Sequence, residues 1–523
     1  MTNQQILKKI SKISAALLIA AIMFSMLLAL AACSSNTAGS SDSGKNDNSP
    51  GAGANGDGNE ADGDQQQSET AQENQKILSD APVKDFENYE YRILSRGESY
   101  TLWEGTDAAA DEENGDLIND AVYKRNRTIE GRYNIQIVNI PSSDILASAK
   151  KAISSGSDEY DIMMGALSGF ADTLSMGGML ADMKKIPYLD LARPWYDQKA
   201  NSDLTIANKL YVTISNIGKV DKDATWSYLF NKKLISDFSL ENPYQLVREG
   251  KWTIDKMLEL CKGISRDLNG DGKMDDLDMY GYAGETYNLY LAILSAGSSI
   301  SKKDANDLPV YTGLDDAGIS AFQKLLSMFG DKALCLRADD YYGSGKEVWG
   351  GSGVMDTAFK ENRILFFDTS MARVIFYRNM DSDFGIVPPP KRDEAQKEYI
   401  SSVSVRSTNS LCLPITISDF ERTGILTDAL AAESHYTLIP AYYDLQLKTK
   451  FARDDESSEM LDIIFAGRKF DLALLYDWAG VTSTFSNAMQ KNSPDIVSAL
   501  EKIEAKVVAA IEKTIGAYQS FEN

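Results

Sequence analysis

Oxygen-bearing side chains recur at alternate positions from Asp267 through Asn269 and Asp271, and again at Asp275 and Asp278. Gly272 stands at the sixth place of this run and Lys273 at the seventh. This is the spacing of a twelve-residue EF-hand-like loop. Side chains at positions 1, 3, 5, 9 and 12 and the carbonyl of position 7 surround one hard cation, and the glycine permits the sharp turn. The expected ligands are Asp267, Asn269, Asp271, the Lys273 carbonyl, Asp275 and Asp278. Position 12 departs from the pattern, because Asp278 replaces the usual glutamate and its shorter arm weakens two-oxygen coordination. A strand-like run, Met279 to Tyr282, follows the loop where a sensor would place a second helix. The expected ion is therefore a structural Ca²⁺, and the bland alternative is an acidic surface turn rich in Asn-Gly and Asp-Gly.

Little else in the chain has catalytic chemistry. There is one histidine, His435, and there are four cysteines, which leaves histidine-rich or Cys₂His₂ zinc sites without ligands. Cys261 lies on an apolar helical stripe and reads as a buried thiol. Gly51, Gly53 and Gly56 match a dinucleotide fingerprint, but no strand precedes them and no helix follows. No nucleophile elbow or phosphate loop is present. A glycosidase carboxylate pair could hide among 76 acids, since proximity in space is not proximity in sequence.

Charge narrows the partners. Against 76 Asp and Glu stand 53 Lys and Arg, a formal charge of −23. A nucleic-acid binder needs basic surface, so that class is excluded, as is electrostatic docking on anionic lipid. The N-terminus carries Lys8, Lys9 and Lys12 and no acid, then an apolar run from Ala15 to Leu30 that is short for a membrane span. It ends in Leu30-Ala31-Ala32-Cys33, so residues 1–32 read as a secretory signal. Residues 34–73 contain no Val, Ile, Leu, Met, Phe, Trp or Tyr. Such a segment cannot bury enough apolar surface to offset its ordering entropy. Residues 33–84 are expected to form a disordered acidic tether with a reach of roughly 35 Å.

The remainder alternates between the two periodicities. Strand patterns at 89–94, 134–140 and 160–164 alternate with helical patterns at 114–133 and 144–154, a βαβαβ opening that implies a parallel sheet. Strand runs follow at 209–214 and 226–230. Residues 252–264 form an amphipathic helix with Thr253 as N-cap, and Ser493-Pro494 opens a C-terminal helix whose stripe is Ile496, Leu500, Ile503, Val507 and Ile511.

Several phrases resemble bacterial extracellular solute-binding proteins of family 1, the sugar-binding class of ABC importers. They are Tyr160-Asp-Ile-Met, Asn201-Ser-Asp-Leu-Thr-Ile, Leu229-Phe-Asn-Lys-Lys-Leu, Gly250-Lys-Trp-Thr-Ile-Asp, Asp383-Phe-Gly-Ile-Val-Pro-Pro-Pro-Lys391 and Gln396-Lys-Glu-Tyr399. The Leu-Ala-Ala-Cys run likewise resembles a bacterial lipobox, which implies cleavage before Cys33 and its lipidation (diacylglycerol, palmitate). The resemblance implies an α/β, two-lobe type II periplasmic-binding-protein fold with a hinge and an interlobe cleft. Lobe 1 would hold 85–214 and 403–447, and lobe 2 would hold 224–400 and 448–523. The implied protein is a monomer anchored by lipid on the extracytoplasmic face of the cell membrane. It would capture a mono- or oligosaccharide by hinge closure and pass it to the permease of an ABC importer, and it would not be an enzyme. The alternatives are a surface glycan-binding or structural lipoprotein that transports nothing, a glycoside hydrolase, and a peptide receptor.

Sugars are held by aromatic faces and by carboxylates, amides and arginines. The expected ligand-binding residues are Trp103 and Glu104 after the first strand, Asp197 before the hinge, and Trp226 just after it. Tyr282 and Tyr287 beyond the calcium motif, Trp349 in a glycine-rich stretch, Arg373 after an apolar strand, and Trp478 complete the set. For each, plain core packing or surface ion pairing is the competing reading.

Overall fold

The computed structural model describes residues 77–377, 379–446 and 455–521. The expected signal peptide, Cys33, the glycine motif at 51–56 and most of the expected tether lie outside them. In chain order the strands are β1 (Tyr89–Arg96), β2 (Ile135–Ser142), β3 (Ile162–Ala166), β4 (Trp226–Asn231), β5 (Tyr280–Gly284), β6 (Ser301–Lys303) and β7 (Pro309–Tyr311). They continue with β8 (Cys335–Arg337), β9 (Ile364–Ser370), β10 (Phe384–Val387), β11 (Ser401–Ser402), β12 (Asn409–Cys412) and β13 (Arg468–Lys469).

Two sheets organise the body. The first has the order β12-β3-β1-β2, and β1 runs parallel to both β2 and β3. The second has the order β10-β4-β9-β5-β8, with β5 parallel to β8 and β9 and β4 antiparallel to β9. Position in the sheet explains the sequence pattern. Edge strand β2 alternates, with Ile135 and Ile137 buried and Gln136 exposed, while central β9 is buried at all seven residues. The helix Leu117–Tyr133 begins where Asp116 accepts the amides of Ile118 and Asn119, and it ends on Asn134 in the left-handed region. One apolar core fills the second sheet and reaches one face of the first, and another packs the helix Phe420–Tyr436 on the remaining face.

The chain passes from the first sheet to the second through residues 213–225 and returns through 399–408. The two crossings touch, because Thr225 bridges Val403 and the Ser404 amide donates to the Ala224 carbonyl at 3.0 Å. A third segment joins them where β13 pairs in parallel with β11. Arg468 in β13 binds Asp221 of the first crossing and Asp197 beside the first sheet. Among the described residues no helix is long and apolar enough to cross a membrane.

Four local expectations change. Residues 77–84, expected in the tether, are held against the helix Phe420–Tyr436: Ser79 donates to Asp428, Lys84 pairs with Glu421, and Ala81 is buried. The run 209–214 forms single bridges, not a strand, because Thr213 meets β12 at one point as the chain leaves the sheet. The amphipathic helix ends at Cys261, where Lys262 turns extended. The C-terminal helix breaks at Ile503 into Ile496–Glu501 and Glu504–Ser520, and Asp495, not Ser493, stands at the N-cap position of the first piece, without a side-chain cap bond. Cys261, Cys335 and Cys412 are free and buried.

Candidate functional site

A cavity of about 990 Å³ opens at the carboxyl ends of the parallel strands, where open α/β sheets place ligands. Each wall follows from topology. Trp103 follows β1; Glu285 and Tyr287 follow β5; Asp368, Thr369 and Ser370 end β9; and Ser404, Arg406 and Ser407 precede β12. Trp226 faces the same space although it begins its strand, because antiparallel β4 sets it opposite Ser370. Trp349 and Arg373 complete the rim.

The polar groups are built in, not loose. Asp368 is 2% exposed and accepts the Trp226 indole N–H and, at 2.8 Å, the Tyr282 hydroxyl. Burial raises its pKa to about 7 against the pull of those two donors. Across the cavity the Trp349 indole donates to Tyr342, which donates to Glu285 Oε2 at 2.6 Å. Burial also raises the Glu285 pKa. The Arg373 guanidinium lies 4.3 Å from the Trp349 ring centre and is anchored by the fully buried Asp356. Trp349 in turn stacks on Phe367. The exposed Arg406 sits 4.7 Å from the Tyr287 ring centre. Buried Arg96 binds the carbonyls of residues 406, 407 and 408 and so fixes the backbone that carries Arg406.

The structure thus brings five expected residues together: Trp103, Trp226, Tyr287, Trp349 and Arg373. Tyr282 stands one layer behind, fully buried, and reaches the cavity only through Asp368. Glu104 is half-buried beside Trp103 and is not part of the wall. Asp197 and Trp478 do not belong to the cavity. Asp197 caps the helix Gln198–Leu204 and pairs with Arg468, and Trp478 is core, its indole donating to Thr514 at 3.0 Å. Sequence reasoning missed Asp368, Glu285, Asn288 and Arg406. A lone acid closing the apolar run Ile364–Phe367 was a usable signal for Asp368, whereas Arg406 carried none beyond its place in the return crossing.

A second cavity, about 360 Å³, lies beside β13. Its charges already satisfy one another, Lys469 with Asp203 at 2.9 Å and Lys303 with Asp307 at 2.5 Å.

The loop 267–278 sits at the opposite end of β5 from the cavity. Its two ends are clamped where Arg266 and Met279 exchange backbone hydrogen bonds. Inside, Asp267 accepts the amides of Gly270 and Gly272, Asn269 that of Asp271, Asp271 that of Lys273, and Asp275 that of Leu277. Fully buried Asp278 accepts the amides of Leu268 and Asp275. Gly270 and Gly272 both have positive φ, as the tight turn requires. These bonds leave Asp271 and Asp275 one oxygen each beyond their amide contacts, a donor set of the hard, all-oxygen kind that suits Ca²⁺. Among the described residues no three His, Cys, Asp or Glu side chains stand close enough together to hold an ion. A site here therefore depends on Asn269 and the Lys273 carbonyl as well as the carboxylates.

Comparison with known proteins fixes the fold. The chain is similar to a sugar transporter protein of Rhizobium etli in an open conformation, with a TM-score of 0.52 and 13% identity over 83% of this chain and 100% of that one. It is also similar to the apo form of RafE from Streptococcus pneumoniae, with a TM-score of 0.50 and 12% identity over 83% and 98%. No family model and no curated protein matches the sequence. The two-lobe α/β fold with a hinge and an interlobe cleft, implied by the sequence phrases, is the fold of this chain.

Proposed function

We propose that the chain is an extracytoplasmic receptor that captures a carbohydrate in the cleft by hinge closure and hands it unchanged to an ABC importer. The observation that carries this reading is the cavity itself. Three indoles, Trp103, Trp226 and Trp349, converge from both sheets on one space rimmed by carboxylates and guanidinium groups. Flat apolar faces beside hydrogen-bonding groups match the alternating CH and OH surfaces of a sugar ring. The Rhizobium etli protein of similar fold is a sugar transporter, which supports this reading. Cys33 would carry the lipid and the acidic segment after it would give reach, so the receptor works tethered to the cell surface. Ca²⁺ in the loop 267–278 would brace the start of β5 and touch no sugar.

Differential scanning fluorimetry of the full chain against mono- and oligosaccharides tests the reading. One saccharide should raise the melting temperature and be recovered intact. Cleavage of a glycosidic bond would instead establish a hydrolase, and silence toward all saccharides with a response to peptides would establish a peptide receptor.

A further inference from the structure

We infer that the chain's one histidine is an acid-sensitive lock on the hinge: neutral His435 ties the helix Phe420–Tyr436 to the first crossing through Asn216, and protonation releases it. The lock belongs to the hinge and holds whatever ligand the cleft takes. The argument is a chain of three side chains. His435 Nδ1 lies 2.8 Å from Asn216 Nδ2, and Asn216 Oδ1 accepts the Lys222 ammonium at 3.3 Å. An ammonium has donors only, so it takes the amide oxygen and leaves the amide nitrogen to the imidazole. An amide N–H also only donates, so Nδ1 must keep its lone pair and the ring must be neutral. In the protonated ring, N–H would face N–H. Turning the amide over would serve the ring and set its NH₂ against Lys222. No orientation of Asn216 serves two cations.

The charges around the ring do not offer a way out. From the first crossing comes Lys222, which is buried, and the nearby Asp221 is already shared by Lys222 and Arg468. From the helix Leu117–Tyr133, Arg125 reaches Ser434 beside His435 and the Ile217 carbonyl, and Arg132 pairs with Glu433. From the helix Leu438–Gln446, Tyr442 donates to Asp223, which pairs with Lys219. On its own helix the ring meets Tyr436 edge-on. Burial and then Lys222 hold the His435 pKa below its ordinary value. The stability contributed by the neutral ring is therefore complete above about pH 6.5 and is lost as pH falls through the lower folded value. The loss enters at the hinge, because Asn216 and Lys222 both lie in the first crossing and Asp221 links that crossing to β13 through Arg468.

Two measurements on the full chain test this. Because there is one histidine, isotope labelling of that residue gives one titrating NMR signal. Its pKa should lie below the ordinary value in the parent. In Asn216→Asp, whose carboxylate has the same shape and accepts from both cations, it should rise by about one unit or more. Amide exchange of residues 213–225, corrected for its intrinsic pH dependence, reads the hinge. Protection in the parent should fall about tenfold between about pH 7.5 and about pH 5, the factor that one lost hydrogen bond supplies. It should stay level in Asn216→Asp and in His435→Gln, which is neutral throughout. Asp368 and the other buried acids titrate alike in parent and variants, so the difference belongs to His435. Melting temperatures near the parent's at neutral pH show that both variants fold. A histidine pKa unmoved by Asn216→Asp, or an equal loss of protection in His435→Gln, overturns the lock. No saccharide enters either measurement, so this outcome and that of the receptor reading stay separate.

Discussion

Asp368 closes an apolar strand and faces the cleft, and these two circumstances set its chemistry. Burial lifts its pKa to about 7 while the Trp226 and Tyr282 donors favour the ionised form. A carboxyl whose folded pKa exceeds its unfolded value holds its proton more tightly in the fold. Its contribution to stability is complete below about pH 4 and is lost as pH rises through about 7. The melting temperature should therefore fall between those values. Asp107, Asp428 and Asp471 are raised by burial too, so the difference between wild type and Asp368→Asn isolates this residue. That difference should vary with pH across the window, and a constant offset would contradict it. The tryptophans divide by the same reasoning. Trp349→Ala removes a cleft face and should cost about 1–2 kcal/mol of sugar affinity with a smaller change in stability. Trp478→Ala empties core and should cost about 3–5 kcal/mol of stability.

At the scale of elements, what was legible depended on whether the signal was local. Alternation in β2, the apolar run of β3 and the Thr253 cap were all readable, because each is set by neighbours within a few residues. The cleft was half readable. Trp103, Trp226, Tyr287, Trp349 and Arg373 stood out as aromatics or a cation at strand ends. Asp368 and Arg406 acquire their roles only from strand order and from the meeting of two crossings, which no local pattern records. Asp197 misled because its position before the crossing suggested a ligand, whereas its carboxylate is used by a helix cap and by Arg468. The loop 267–278 belongs to this scale as well. Its carboxylates fall within a dozen residues and accept the loop's own amides, and a Ca²⁺ bound there would add oxygen contacts to the folded loop alone. Chelation in calcium-free buffer should lower the melting temperature, and calcium at about 100 times its Kd should restore about 2.7 kcal/mol. Asp271→Ala, at an exposed position proposed as a ligand, should abolish that response. A melting temperature indifferent to chelator would refute a bound ion.

For the whole molecule, the hinge is the point where stability and function meet. Arg468 is shared by Asp197 and Asp221, and it belongs to the strand that flanks the return crossing. Burial opposes ionisation of Asp197, but the guanidinium overcomes it and holds its pKa below the ordinary range. The guanidinium therefore ties together three segments, β13, the first crossing at Asp221 and the helix start at Asp197. Closure needs a ligand that touches both walls only when they approach. A shift from 1:99 to 99:1 requires about 5.5 kcal/mol of such differential contact. Trp103 belongs to the first sheet's wall and Trp349 to the second's, so a sugar bound in the proposed mode would touch both. Small-angle scattering should show the radius of gyration falling when the saccharide that raises the melting temperature is added to saturation. Trp103→Ala should bind more weakly and, at equal saturation, compact less, because one wall has lost its grip on the ligand. An unchanged radius of gyration in the wild type would mean that the cleft is already in its ligand-bound geometry, and the hinge would then serve stability alone.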